Sequence, residues 1–162
     1  MRPVRDILCS PVGQRGFSLV ELVMIMTIIA VTAAIAMPRY ANALNRYGAD
    51  VAARRVAADI ALAQELARSS SSSRTITFDL AASRYTVSGM SSLSNQAAPY
   101  TIDLTAQPYQ ARMVSLNLAS DALAISFNGY GAPDRGGSLQ VARGGITRTI
   151  TVDGSTGAVA IQ

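Results

Sequence analysis

Polar and apolar positions divide this chain into three regimes. Residues 1–16, MRPVRDILCSPVGQRG, are polar and basic, whereas residues 17–37, FSLVELVMIMTIIAVTAAIAM, are apolar and carry one charge, Glu21. As a helix rising 1.5 Å per residue, such a run is about 30 Å long, the thickness of a bilayer core. Pro38 and Arg39 close it. Helical spacing then resumes over residues 42–68, an alanine-rich stretch with one glycine, Gly48, and no proline. Leu44, Tyr47, Val51, Ala58, Leu62 and Leu66 recur on one face, expected to pack on the rest of the domain. Arg46, Asp50, Arg54, Gln64 and Arg68 cluster opposite, as a solvated face. Arg55 falls inside the apolar stripe, so it must snorkel or find an acid, and Asp59 stands at i+4.

A helix from residue 17 to about residue 68 would be roughly 75–80 Å long, too long to be buried by so small a domain. Its first half therefore belongs in lipid or among neighbouring helices, and its second half packs on the domain. Pro38 deprives the carbonyl four residues earlier of its donor and bends or loosens the helix there. The five serines at 69–73 end it, because their hydroxyls compete for local backbone groups.

Beyond the serines the period changes to two. Residues 74–80 and 84–88 alternate polar and apolar, and the three residues between them suit a hairpin. Residues 91–99 read as a loop. Further strands are expected at 100–104, 113–118, 123–127, 139–142, 146–152 and 158–161, separated by the turn-rich segment 128–137, by Gly144-Gly145 and by residues 153–157. Short strands with frequent turns predict antiparallel pairing, in two small sheets over the helix. The fold class is α+β: a long N-terminal transmembrane α-helix packed on a small antiparallel β-sheet head.

Composition narrows the chemistry. The chain has 14 basic residues, all arginine, and neither histidine nor tryptophan. Without histidine it lacks the commonest general base and the commonest metal ligand. The single cysteine, Cys9, lies in the basic leader, which leaves no disulfide framework, thiolate zinc site or cysteine nucleophile beyond it. No catalytic residue, cofactor or metal site is expected, and the protein reads as a non-enzyme. The formal net charge of +4 falls to about +2 without residues 1–16, too little to imply a nucleic-acid partner.

Glu21 is the sharpest feature. A carboxylate in a membrane span costs roughly 2.5–3.5 kcal/mol, so it calls for a partner. Near a helix N-terminus it meets a favourable dipole, and a new α-amino group on Phe17, of this chain or a neighbour, is the obvious cation. The leader's three arginines against one acid favour a cytoplasmic leader and an outward C-terminal head.

The segment Gly16-Phe17-Ser18-Leu19-Val20-Glu21-Leu22 resembles the cleavage and methylation motif of type IV pilins and type II secretion pseudopilins. The resemblance implies cleavage between Gly16 and Phe17 by a membrane prepilin peptidase, which also N-methylates Phe17. It implies that Glu21, at the fifth mature position, serves subunit assembly, and that Pro38 kinks the helix. Residues 125–129, 139–141, 148–152 and 157–159 are similar to the C-terminal pattern of the GspH/FimT group of minor pseudopilins and pilins. Four segments follow: a cleaved leader at 1–16, a transmembrane half-helix at 17–38, a periplasmic half-helix at 39–70 and a β-rich head at 71–162. The implied protein is a structural minor pseudopilin, anchored in the bacterial inner membrane with its head in the periplasm and joining other pseudopilins or pilins at a pseudopilus tip. The alternative is a minor type IV pilin active in pilus assembly or DNA uptake, for which Arg135, Arg143 and Arg148 are the candidate DNA contacts. Residues 153–157 resemble a fragment of a calcium loop but supply one carboxylate, and the glycines of 129–137 lack the lysine and helix of a phosphate cradle.

Overall fold

The computed structural model describes residues 16–92, 97–119 and 122–162. The leader up to Arg15 and residues 93–96 of the expected loop lie outside the described residues. Two compact units are present, Met1–Arg39 and Tyr40–Gln162. One helix, α1 at Leu19–Ser69, contributes to both.

In the first unit, Leu22 N–H donates to the Ser18 carbonyl (3.0 Å) as α1 begins, with Glu21 in the first turn. Every described residue up to Arg39 is exposed except the partly covered Ala33. By length and composition this part of α1 can cross a membrane. Its hydroxyls need no water: Thr27 Oγ1 donates to the Met24 carbonyl (2.7 Å) and Thr32 Oγ1 to the Ile28 carbonyl (2.9 Å). Pro38 lies within the helix and leaves the Ala34 carbonyl without its i+4 donor.

The second unit holds eight strands: β1 (Arg74–Asp79), β2 (Arg84–Ser91), β3 (Pro99–Asp103), β4 (Arg112–Leu118), β5 (Ala124–Phe127), β6 (Gly137–Arg143), β7 (Ile146–Val152) and β8 (Val159–Ile161). They form two antiparallel four-stranded sheets, in the orders β3-β2-β1-β5 and β4-β6-β7-β8. Alternation sets the register. Ile76 pairs with Val87 and Ile125, and Leu139 with Ile150, so apolar residues of neighbouring strands share one face of each sheet. At the β1–β2 hairpin Asp79 Oδ1 accepts from Ala82 N–H (3.0 Å), and Ser83 takes a left-handed φ of 51°.

Both sheets close over the helix on a face other than the one expected. The buried helical positions are Gly48, Ala49, Ala52, Ala53, Val56, Asp59, Ile60, Ala63 and Ala67, while Leu44, Tyr47, Ala58 and Leu62 are exposed. Alanines let the strands approach closely, and Phe78, Tyr85 and Phe127 from the sheets fill the volume. Side-chain size therefore misidentified the packed stripe, because the larger partners come from the opposing layer. Nor is the arginine side simply solvated: Asp50 and Gln64 hold contacts to the strands and loops.

Candidate functional site

Two places in the molecule set an acid among apolar residues, one in sequence and one in the packed core. The first is the start of α1. Gly16, Phe17 and Ser18 precede the helix in non-helical conformation, with Phe17 largely exposed, and Glu21 lies four residues on, about 6 Å along a helix axis. Glu21 is exposed and surrounded in sequence by apolar residues, and its carboxylate makes no ion pair or hydrogen bond with a described residue.

The second is inside the head. The Asp59 carboxylate, 4% exposed, is sandwiched between α1 and the first sheet. Its Oδ2 accepts from Tyr85 Oη (2.5 Å), Arg55 Nε (3.1 Å) and Tyr100 Oη (3.2 Å), and its Oδ1 accepts from Tyr100 Oη (3.2 Å). Arg55 Nη2 also donates to the Tyr100 hydroxyl, and its guanidinium carbon lies 6.0 Å from that ring's centre. The Arg55–Asp59 pair was readable from its i+4 spacing. The tyrosines were not, because no local pattern in a strand announces a partner across layers; a buried-face acid in an alanine-rich stripe was the one available signal. Three donors engage the carboxylate, the Tyr100 hydroxyl lying within reach of both oxygens, so the cluster ties the helix to the sheet.

Burial, reinforced by the hydrogen bond to Asp59, pushes the Tyr85 phenol well above the usual tyrosine range. A raised folded-state value means the stabilisation is complete below the unfolded tyrosine pKa and is lost as pH rises through the folded one. Head stability is therefore expected to decline from about pH 10 upward, and Tyr85→Phe to flatten that decline. Urea midpoints measured across the alkaline range check this; an unchanged slope in Tyr85→Phe would assign the decline elsewhere.

The remaining candidates are structural. Asp153 Oδ1 accepts from the amides and hydroxyls of Ser155 and Thr156, at 2.6–3.0 Å, and those bonds hold its carboxyl well below the ordinary range. The loop is a closed turn rather than an open cation site. In the glycine-rich segment Asn128 Oδ1 accepts from Tyr130 and Ala132 N–H, both at 3.0 Å, and Gln64 Nε2 donates to the Gly131 and Thr156 carbonyls, both at 2.8 Å. A cleft of about 490 Å³ lined by Arg68, Ser71, Gly129 and Tyr130 lies there and contains no nucleophile–base pair. Among the described residues no three acidic, histidine or cysteine side chains converge as a metal site.

The three proposed DNA contacts do not come together. Arg135 pairs with Asp134 (2.8 Å), and Arg148 pairs with Asp50. Arg143 donates to the Tyr109 carbonyl (2.9 Å) and to Gln110 Oε1 (2.7 Å). Arg135 and Arg143 flank the two ends of β6, about 20 Å apart at strand spacing.

A family profile described as the prokaryotic N-terminal methylation motif matches residues 12–37. Two crystal structures of the type IV minor pilin FimU of Pseudomonas aeruginosa resemble the chain. One aligns with a TM-score of 0.53 at 16% identity, covering 72% of this chain and 90% of that one. The other gives 0.51 at 15%, covering 70% and 91%. No curated protein sequence matches. The fold, one long N-terminal apolar helix with an antiparallel sheet head, is the pilin fold.

Proposed function

We propose that this chain is a non-enzymatic, membrane-anchored pilin-like subunit and, more narrowly, a minor pseudopilin of a type II protein secretion system. The observation that carries this reading is register. Gly16, the aromatic Phe17, Glu21 and the apolar residues up to Met37 stand in the order of an N-terminal methylation motif, and their helix runs on past Pro38 into a two-sheet head of pilin fold. In this reading a prepilin peptidase cuts between Gly16 and Phe17 and methylates the new amine. The anchor stays in the inner membrane, the head stands in the periplasm, and the helix joins other pseudopilins through Glu21 at the tip. Pro38 supplies local give where the helix leaves the membrane. The Asp59 cluster supports a structural role, since this buried acid of the head is engaged by Arg55, Tyr85 and Tyr100 in packing helix on sheet.

A minor type IV pilin is the second reading, since the motif and the fold are equally those of such a subunit. DNA contact through Arg135, Arg143 and Arg148 loses support, because two are neutralised and the set is dispersed.

Intact-mass and N-terminal analysis of the membrane-extracted chain tests the shared premise. The expected product begins at N-methylated Phe17, and Gly16→Val is expected to accumulate uncut. A wild-type chain that retains residues 1–16 would overturn the reading. Cross-linking from the span then separates the two assemblies: capture of secretion pseudopilins supports the first, and capture of pilus subunits the second.

A further inference from the structure

We propose that the cleft at the end of α1, lined by Arg68, Ser71, Gly129 and Tyr130, is a docking site for an acidic side chain presented by a partner protein. The cleft lies wholly within the Tyr40–Gln162 unit, and the inference does not depend on which assembly the chain joins. At about 490 Å³ it is in the size range of ligand sites. All four lining residues are exposed, so a side chain standing on another protein's surface can enter it.

Two glycines shape the cleft. At Gly129 a Cβ would lie 2.9 Å from the Ser71 carbonyl oxygen, so glycine lets the β5–β6 loop come against the serine turn. At Gly131, φ 77°, a Cβ would strike the Arg68 side chain, which lies across it. The loop is then fastened from several sides. Asn128 N–H donates to the Ala132 carbonyl (2.9 Å), Gly131 N–H to the Asn128 carbonyl (2.7 Å) and Gln64 Nε2 to the Gly131 carbonyl (2.8 Å). Both backbone polar groups of Tyr130 are held by side chains, its N–H by Asn128 Oδ1 (3.0 Å) and its carbonyl by Arg68 Nε (3.3 Å). Its ring nevertheless stands 90% exposed. A fixed backbone presenting a bare aromatic ring is the arrangement of an interface anchor, since little entropy is left to lose on contact.

Beside that ring stand donors without acceptors. Arg68 spends Nε on the Tyr130 carbonyl, and its remaining N–H groups meet no acceptor among the described residues. It joins none of the ion pairs found there, and Glu65, about one turn back, joins none either. The Gly129 N–H and the Ser71 hydroxyl are likewise unengaged. Ser71 also takes φ 47° as the helix ends, a left-handed conformation that glycine adopts freely and serine does not. The fold alone would favour glycine at that position, whereas serine adds a hydroxyl to the cleft. In the last turn Arg68 offsets the helix dipole, but that role uses its charge and leaves its fork of donors and the Tyr130 ring unaccounted for. A guanidinium fork matches the two oxygens of a carboxylate, with Gly129 N–H and the Ser71 hydroxyl as further donors and Tyr130 against the stem. Arg68 is the one arginine lining the cleft, which suits one carboxylate rather than the several phosphates a nucleic-acid strand presents.

The test titrates the isotope-labelled full chain, in zwitterionic detergent micelles, with the peptide acetyl-Ala-Glu-Phe-Ala-amide and with its Glu→Gln form, followed by NMR. The Glu peptide is expected to shift the Gly129 amide and Arg68 Nε–H resonances saturably and to bind on the order of tenfold more tightly than the Gln peptide. Arg68→Gln should abolish that preference. Because it also frees the Tyr130 carbonyl, two further variants leave that contact in place. Tyr130→Ala removes a ring that makes no hydrogen bond or ring contact among the described residues, and should weaken both peptides by about fivefold. Ser71→Gly should weaken the Glu peptide by about threefold while the melting temperature stays equal or rises, the opposite of what a purely structural serine would give. Arg135→Gln, already paired with Asp134, should change nothing. Equal affinity for the two peptides, no shift at Gly129, or a preference retained in Arg68→Gln would overturn the proposal. Duplex DNA that moves the same resonances at lower concentration, with the salt dependence of several phosphate contacts, would also overturn it and reassign the cleft to nucleic acid.

Discussion

Asp59→Ala is expected to destabilise the head by about 3–4 kcal/mol, the range for removing one partner of a buried ion pair. The substitution strips the acceptor from two tyrosines and an arginine at once. Tyr85, 1% exposed, has no water to turn to, and its hydroxyl would stay buried and unsatisfied. Arg55 is about one-third exposed and can swing outward, so its share of the loss is smaller. Tyr85→Phe should cost less, about 1–2 kcal/mol, because Asp59 keeps Tyr100 and Arg55. In the double variant the two losses should overlap, with a coupling above about 1 kcal/mol for groups in direct contact. Thermal and urea melts of the Tyr40–Gln162 unit measure this, a fragment that contains the entire buried core. A loss below about 1 kcal/mol in Asp59→Ala would mean the cluster is already hydrated.

That cluster also marks how far the sequence could be read. Strand positions were legible because each strand has one face in the core: Ile146–Val152 alternates so regularly that its expected and observed bounds coincide, and the other strands shift by one or two residues at the ends, except β2, which runs three residues past its expected end to Ser91. The ends shift where turns rather than burial decide, as at Gly137, which joins β6 through φ 158°, close to extended backbone. The partition into two sheets followed from the number and spacing of turns.

The helix face was not legible. Large apolar residues at Leu44, Tyr47 and Leu62 outweighed a stripe of alanines, yet the alanines are where two sheets can approach. Burial depends on what the opposite layer supplies, and that is a tertiary fact. The same limit hid the second half of the Asp59 site, since Tyr85 and Tyr100 are 26 and 41 residues away in the chain. It also made Arg135, Arg143 and Arg148 look like a set, when β6 separates the first from the others and Asp50 neutralises the last. The N-terminal motif escaped this limit because it is local: the residues that carry it fall within the matched stretch 12–37 and need no partner from another layer.

On that local chemistry the second large effect turns. Glu21→Ala is expected to leave cleavage at Gly16–Phe17 and membrane retention intact while incorporation into an assembly falls by on the order of a hundredfold. The scale follows from the roughly 2.5–3.5 kcal/mol cost of an unpaired charge in a span, which pairing with a neighbour's Phe17 amine would relieve, at 1.4 kcal/mol per factor of ten. In the free subunit Glu21 has no described partner, so the variant gives up nothing before assembly and becomes cheaper to hold in lipid. After assembly it leaves the neighbour's amine buried without a counter-ion. Glu21→Gln should behave like Ala despite keeping its shape, because the amine needs charge rather than a dipole. Recovery of partner subunits after cross-linking in membranes, normalised to mature chain, measures the effect. Full recovery with either variant would sink the pairing, and the acid would then be read as an N-terminal helix residue reaching the headgroups, where the helix dipole alone accounts for it.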